Sequence, residues 1–229
     1  MSRPALLAVA HGSRDPAAQR TVSVLAARAG RLAPGLEIRV AFVQNSGPST
    51  EQVLAETAGA GLVIVPLLLC AGYHLSEDIA GLAKRAGVPV AAPLGPDPGL
   101  VPALADRLAE AGVPPGTPVV LAAAGSTDPR AIVQTRSQAA LLAAHLMVPV
   151  LAAFASAGQP AVDEAIAILT ARTGGPVAVA SYLLAPGVFH DRLAASGAAW
   201  VSAPLADHPA AASLVIDRFH AASAAALAR

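Results

Sequence analysis

Short apolar runs alternate with longer amphipathic stretches along the whole chain. The runs are rich in Val, Leu, Ile and Ala and lack polar alternation, which predicts strands buried on both faces. Strands are predicted at 4–10, 37–43, 62–68 and 88–92, then at 118–123, 149–154, 176–182 and 199–202. Between them apolar residues recur at helical spacing over 16–32, 48–58, 75–86 and 98–111, then over 129–145, 160–173, 187–196 and 208–227. Strands alternating with amphipathic helices imply α/β architecture: parallel sheets covered by helices on both faces, with right-handed crossovers.

The pattern repeats. Ala8-Val9-Ala10-His11-Gly12-Ser13-Arg14-Asp15-Pro16 matches Leu121-Ala122-Ala123-Ala124-Gly125-Ser126-Thr127-Asp128-Pro129 at an offset of 113. Phe42 and Pro48 match Phe154 and Pro160 at an offset of 112, Leu68–Gly72 matches Leu183–Gly187 at 115, and Ala92-Pro93-Leu94 matches Ala203-Pro204-Leu205 at 111. Four matches in one order at a nearly constant offset indicate two homologous domains. The Pro/Gly cluster from Gly112 to Pro118 is the best candidate linker, which predicts domains at 1–114 and 115–229. Two such lobes facing each other would form a cleft between their strand ends.

Composition narrows the options. The 229 residues are 55% hydrophobic but only 3% aromatic, so Ala, Val and Leu must build the core. Net charge is zero, which offers no basic field for nucleic acid or anionic lipid. Cys70 is the only cysteine, so neither an internal disulfide nor a cysteine-based zinc site can form, and a reducing compartment is expected. The longest apolar stretch, 139–155, is interrupted by His145 and Pro149 and falls short of a bilayer span. Ala8-Val9-Ala10 mimics a signal-peptidase site, but too little chain precedes it. A soluble cytoplasmic protein without membrane partners is expected.

Two histidines carry the candidate chemistry. His11 ends the first apolar strand, where open α/β sheets bind ligands. Read alone, it is equally a turn or cap histidine. Gly12 allows a tight turn, and Ser13 opens a helix whose N–H groups face outward, suited to an anion. The run from Val63 to His74 repeats the design, with a strand, a glycine turn, a histidine and a helix for which Ser76 is a candidate cap and Glu77 and Asp78 suit the positive end. His11 and His74 thus fall at one edge of one sheet. Two imidazoles make an incomplete metal site with open positions, and imidazole suits Fe, Co, Ni, Cu or Zn alike. His145 reads as a helix end, His190 as a rim residue one position out of register, and His208 and His220 as surface residues. The second half has Ala124 in place of His11 and Phe189 in place of His74, so it keeps Gly125, Ser126 and Gly187 but neither ring. Arg14 is either a charge partner for the ligand or a solvated side chain. Tyr73 and Phe189 either press on a ligand or are ordinary packing aromatics.

His-Gly-Ser-Arg-Asp-Pro at 11–16 with Pro-Leu-Leu-Leu-Cys-Ala-Gly-Tyr-His-Leu-Ser-Glu-Asp-Ile at 66–79 resembles the sirohydrochlorin chelatases, class II tetrapyrrole chelatases of siroheme and cobalamin synthesis. Residues 123–129 and 182–193 resemble the long, internally duplicated form, so the likeness covers essentially the whole chain. The resemblance implies two similar flavodoxin-like or Rossmann-like lobes, each a four-stranded parallel sheet flanked by helices. It implies insertion of a divalent metal (Fe²⁺ for siroheme, Co²⁺ for cobalamin, or Ni²⁺) into sirohydrochlorin, without ATP or another cofactor. A monomer is expected, because one duplicated chain can enclose a cleft by itself. His11 and His74 would be the metal ligands and catalytic residues, with His11 also accepting protons. Leu69, Cys70, Ala71, Gly72 and Tyr73 would line the tetrapyrrole site, and Gly12, Ser13, Arg14, Gln44, Gly125 and Ser126 would contact the substrate. Family members often carry glutamate four residues before the proline that starts the second helix; here Gln44 holds that position and supplies no charge. A tetrapyrrole or metal carrier without turnover is the main alternative. A histidine phosphatase is disfavoured, because Ala10 stands where those enzymes place arginine.

Overall fold

The computed structural model describes residues 5–57, 61–70 and 72–228, and for residues 73–76 the backbone alone. The first four predicted elements form β1 (Ala5–Ala10), α1 (Pro16–Leu32), β2 (Glu37–Phe42) and α2 (Thr50–Glu56). They are followed by β3 (Leu62–Pro66), α3 (Tyr73–Ala86) and α4 (Leu100–Glu110). The second series is β4 (Val119–Ala123), α5 (Pro129–Leu146), β5 (Val150–Phe154), α6 (Val162–Thr173), β6 (Ala178–Tyr182), α7 (Val188–Ala194), β7 (Trp200–Val201) and α8 (Pro209–Leu227).

The sheets are parallel, ordered β2-β1-β3 and β5-β4-β6-β7. The α/β class is as expected, but the first sheet has three strands rather than four. The predicted strand at 88–92 is reduced to a bridge between Val90 and Ile64. Ile64 N–H donates to Pro89 and Ala91 N–H to Ile64, at 2.9 and 2.8 Å. Pro89 and Pro93 lack the N–H groups that a longer ladder needs.

Each central strand is wholly buried. β1 packs Leu7 and Val9 with Ile64, Leu68 and Ile79, whereas β4 packs Val120 and Ala122 with Val179, Leu169 and Leu193. Many of the buried positions are alanine, so helices can lie close to the sheets and cores form with few aromatic rings. Among the described residues no helix is long and apolar enough to cross a membrane.

The compact units differ from the expected domains at 1–114 and 115–229. One unit comprises Met1–Leu94 with Ala206–Arg229, the other Gly95–Leu205. The last helix of each repeat is exchanged: α4 packs on α5 and β6, whereas α8 returns to pack on α1 and β3. Arg218 on α8 fastens this return by donating to the carbonyls of Pro93 and Leu94 at 2.8 and 3.2 Å. Beyond Leu94, the Asp97 N–H donates to buried Gln138 in the second unit at 2.8 Å. The Gly112–Pro118 cluster is a tight turn inside that unit, closed by Val113 N–H on Leu108 and Thr117 N–H on Pro114. Pro and Gly there mark a turn between helix and strand, and sequence composition alone does not separate this from a linker.

Phe219 on α8 is 4% exposed. Phe219→Ala is expected to cost about 3 kcal/mol. Hydrogen exchange should show lost protection in β1–β3 and retained protection in β4–β6; the reverse pattern would contradict the exchanged-helix arrangement.

Candidate active site

The first unit's parallel ladder runs past the end of β1. Ala10 pairs with Phe42, Val43 N–H donates to Ala10, and Gln44 N–H donates to His11, both at 3.0 Å. This extension sets Gln44 beside His11 even though 33 residues separate them, and their Nε2 atoms lie 2.8 Å apart. An amide nitrogen can only donate, so this contact suits the neutral tautomer of His11 that carries its proton on Nδ1. The His11 side chain is exposed, yet enough protein surrounds it that desolvation pushes its pKa below the usual histidine range.

The turn that follows needs glycine. Gly12 has φ +99°, and a Cβ there would collide with the Gln44 carbonyl oxygen. The chain then locks down. Ser46 Oγ accepts from Ser13 N–H at 3.0 Å and donates to Ser13 O at 2.7 Å, and Gln19 Nε2 also donates to Ser13 O at 3.0 Å. Ser13 Oγ accepts from Asp15 N–H at 3.0 Å, and Asp15 caps α1 by accepting from Ala17 N–H at 2.8 Å, with Pro16 opening the helix. The Ser13 N–H is therefore engaged within the protein, which corrects its expected role as an outward anion donor. Arg14 is exposed and makes no hydrogen bond or ion pair within the described residues.

β3 adjoins β1, and Leu67 N–H continues their pairing by donating to Val9 at 2.8 Å. Leu69 is buried and Cys70 half-buried beyond it. Ala71 lies outside the described residues. Gly72 is the N-cap of α3, so the helix starts at Tyr73 and contains His74 in its first turn. Ser76 therefore lies inside the helix rather than at the cap expected for it, and Glu77 and Asp78 fall beyond the first turn. The backbone thus puts His11 at the carboxyl end of β1 and His74 in the first turn of the helix that follows the adjacent strand, β3. β2 and β3 flank β1 on opposite sides, so this is also the topological switch point, where doubly wound sheets bind ligands. Among the described residues no group of three or more His, Cys, Asp or Glu is placed to hold a metal.

The second unit repeats the scaffold. Ala155 N–H donates to Ala123 at 2.9 Å, as Val43 does to Ala10. Gly125 has φ +104°, and a Cβ there would collide with the Ala157 carbonyl oxygen. Phe154 N–H donates to Pro160 at 3.1 Å, as Phe42 does to Pro48 at 3.0 Å. Ser126 N–H donates to Ala157 at 2.8 Å, so it too is engaged internally rather than offered to a ligand. Ser156 Oγ donates to Ala124 O at 2.6 Å. His190 Nε2 donates to Ser202 O at 3.2 Å and ties α7 to the sheet. His208 caps α8, with Nδ1 accepting from Ala210 N–H at 3.2 Å, and so has a structural task beyond its expected surface position. Ser46 and Gln19 were not evident as supports of the His11 turn, because their contacts depend on how the β2 loop folds back.

Taken together, the molecule is a duplicated α/β protein with a histidine-bearing strand edge in its first half. The sequence model of the CbiX family matches residues 5–111 and again 118–222, and the chain belongs to that family. It is 35% identical over 82 residues to a sirohydrochlorin cobaltochelatase of Methanococcoides burtonii, covering 34% of this chain and 63% of that one. The aligned part thus spans less than two thirds of that relative. The sirohydrochlorin ferrochelatase of Bacillus subtilis is 28% identical over 207 residues, covering 83% of this chain and 78% of that one. The structure of SirB from Bacillus subtilis with Fe³⁺ superposes with a TM-score of 0.82 at 25% identity, covering 99% of this chain and 98% of that one.

The His11 ring should titrate below about pH 6.5. Below that pH the unfolded chain takes up a proton that folded His11 resists, so the residue's contribution to stability falls as pH drops through the window. Gln44→Glu sets a carboxylate against the ring and should raise its midpoint by about one unit or more, read by histidine NMR. An unchanged midpoint would contradict the contact. Gly12→Ala should cost about 1–3 kcal/mol in thermal unfolding, through strain at positive φ.

Proposed function

We propose that the protein is a sirohydrochlorin chelatase that inserts a divalent metal ion (Fe²⁺, Co²⁺ or Ni²⁺) into the macrocycle without ATP. The observation that carries this reading is an imidazole, His11, held by Gln44 at the switch point of the first sheet, with His74 in the first turn of the helix that follows the adjacent strand. The family membership and the names of the relatives support it.

Insertion requires two steps of opposite demand. The incoming ion must shed water, and two pyrrole N–H protons must leave. A neutral imidazole serves either step, but one nitrogen cannot hold a metal and a proton together. His11 and His74 therefore share the tasks, or His11 performs them in sequence. Gln44 adapts to both states of His11. Its NH₂ donates to the neutral ring, and after the amide turns over, its carbonyl accepts from a protonated Nε2. As an uncharged group it leaves His11 a weak base, which releases a captured proton readily to solvent. Arg14 offers a cation to a substrate carboxylate beside this site. Gly12, Leu69, Cys70, Ala71, Gly72 and Tyr73 belong to the same loops and are read as the surrounding wall.

Gln44 favours one second reading. Without a carboxylate beside His11, the same site can bind metal or tetrapyrrole as a carrier. Absorbance spectra with sirohydrochlorin in excess separate the two: a chelatase completes many insertions per chain, a carrier stops at one. Under anaerobic conditions His11→Ala and His74→Ala should each slow insertion by about 100-fold or more. Wild-type rates in either variant would remove that residue from the mechanism.

A further inference from the structure

The second unit has its own switch point, at the carboxyl ends of β4 and β6, because β5 and β6 flank β4 on opposite sides. This is the repeat's counterpart of the His11 and His74 position, and it carries different chemistry. Ala124 and Phe189 replace the histidines. Phe189 is 40% exposed and its neighbour Val188 is 66% exposed, although the rest of this protein's few aromatic rings include the buried Phe42, Phe154 and Phe219. The Arg192 guanidinium lies 5.7 Å from the Phe189 ring centre. Its Nη1 donates to Ala155 O at 3.1 Å, and Ala155 N–H in turn donates to Ala123, the last residue of β4. The guanidinium is thereby held at the residue that continues the ladder past the end of β4. One of its five N–H groups is engaged there, and the side chain is exposed.

A fixed cation at this place repels a divalent metal and attracts a carboxylate. An exposed phenyl face beside it suits a large flat ring. We infer that the second unit's copy of the histidine site is a tetrapyrrole-binding patch, in which Phe189 packs on the face of the macrocycle and Arg192 pairs with one of its carboxylates. This rests on the chelatase reading for the nature of the ligand, and extends it to residues outside the histidine loops.

The test is titration of the full-length protein with metal-free sirohydrochlorin, followed by macrocycle absorbance. Phe189→Ala and Arg192→Gln should each raise Kd about tenfold. Arg192→Gln should also flatten the dependence of Kd on NaCl, and Arg192→Lys should restore it, because a charge pair is screened and a brace is not. Co²⁺ affinity should be unchanged in all three, and in turnover KM should rise while kcat stays within about twofold. Wild-type affinity in folded Phe189→Ala and Arg192→Gln would overturn the inference. So would a loss in Arg192→Gln that is equal at every salt concentration and follows a fall in Tm, which marks Arg192 as a structural brace. If the wild-type protein itself fails to bind the macrocycle, the chelatase reading falls first and this inference falls with it.

Discussion

The site depends on how far the parallel ladder between β1 and β2 extends. Two hydrogen bonds beyond the last strand pair carry the chain to His11 and Gln44, and only then does Gly12 turn it away. Because Gly12 sits against the Gln44 carbonyl, the turn and the position of the glutamine are one constraint. The backbone therefore sets the distance between imidazole and amide, and the side chains inherit it. The second unit keeps the same ladder and the same turn at Gly125, although nothing there needs a histidine held. That persistence marks the turn as part of the scaffold's folding, onto which each half has placed its own side chains.

Duplication has left two edges with different side chains. A central strand buried on both faces offers its chemistry only at its carboxyl end, so each unit has one edge to use. In the first unit that edge carries imidazoles and an uncharged amide, a soft and adaptable set. In the second it carries Ala124, Phe189 and Arg192, an apolar pair and a cation.

Much of this was legible in the chain. Strand and helix placement followed from apolar runs and helical spacing, and the matched Phe42–Pro48 and Phe154–Pro160 pairs turn out to make the same backbone hydrogen bond. What escaped were features fixed by long-range packing. The exchange of α4 and α8 leaves no mark on either helix, since each has an apolar face that fits either sheet. The shortened strand at Val90 was hidden by its β-branched residues, although Pro89 and Pro93 were there to be weighed. The engagement of Ser13 and Ser126 N–H groups depends on Ser46 and Ala157, which belong to loops more than 30 residues away. The contact of Gln44 with His11 likewise depends on the ladder that joins positions 33 residues apart.

If His11 and His74 form one metal-accepting edge, a single ion should reach both rings. Histidine labelled with ¹⁵N, observed by NMR while one equivalent of Co²⁺ is added, tests it most directly. The His11 and His74 ring signals should shift or broaden together, while those of His145, His190, His208 and His220 stay in place. An undisturbed His11, or an effect centred on any of the other four, would contradict it.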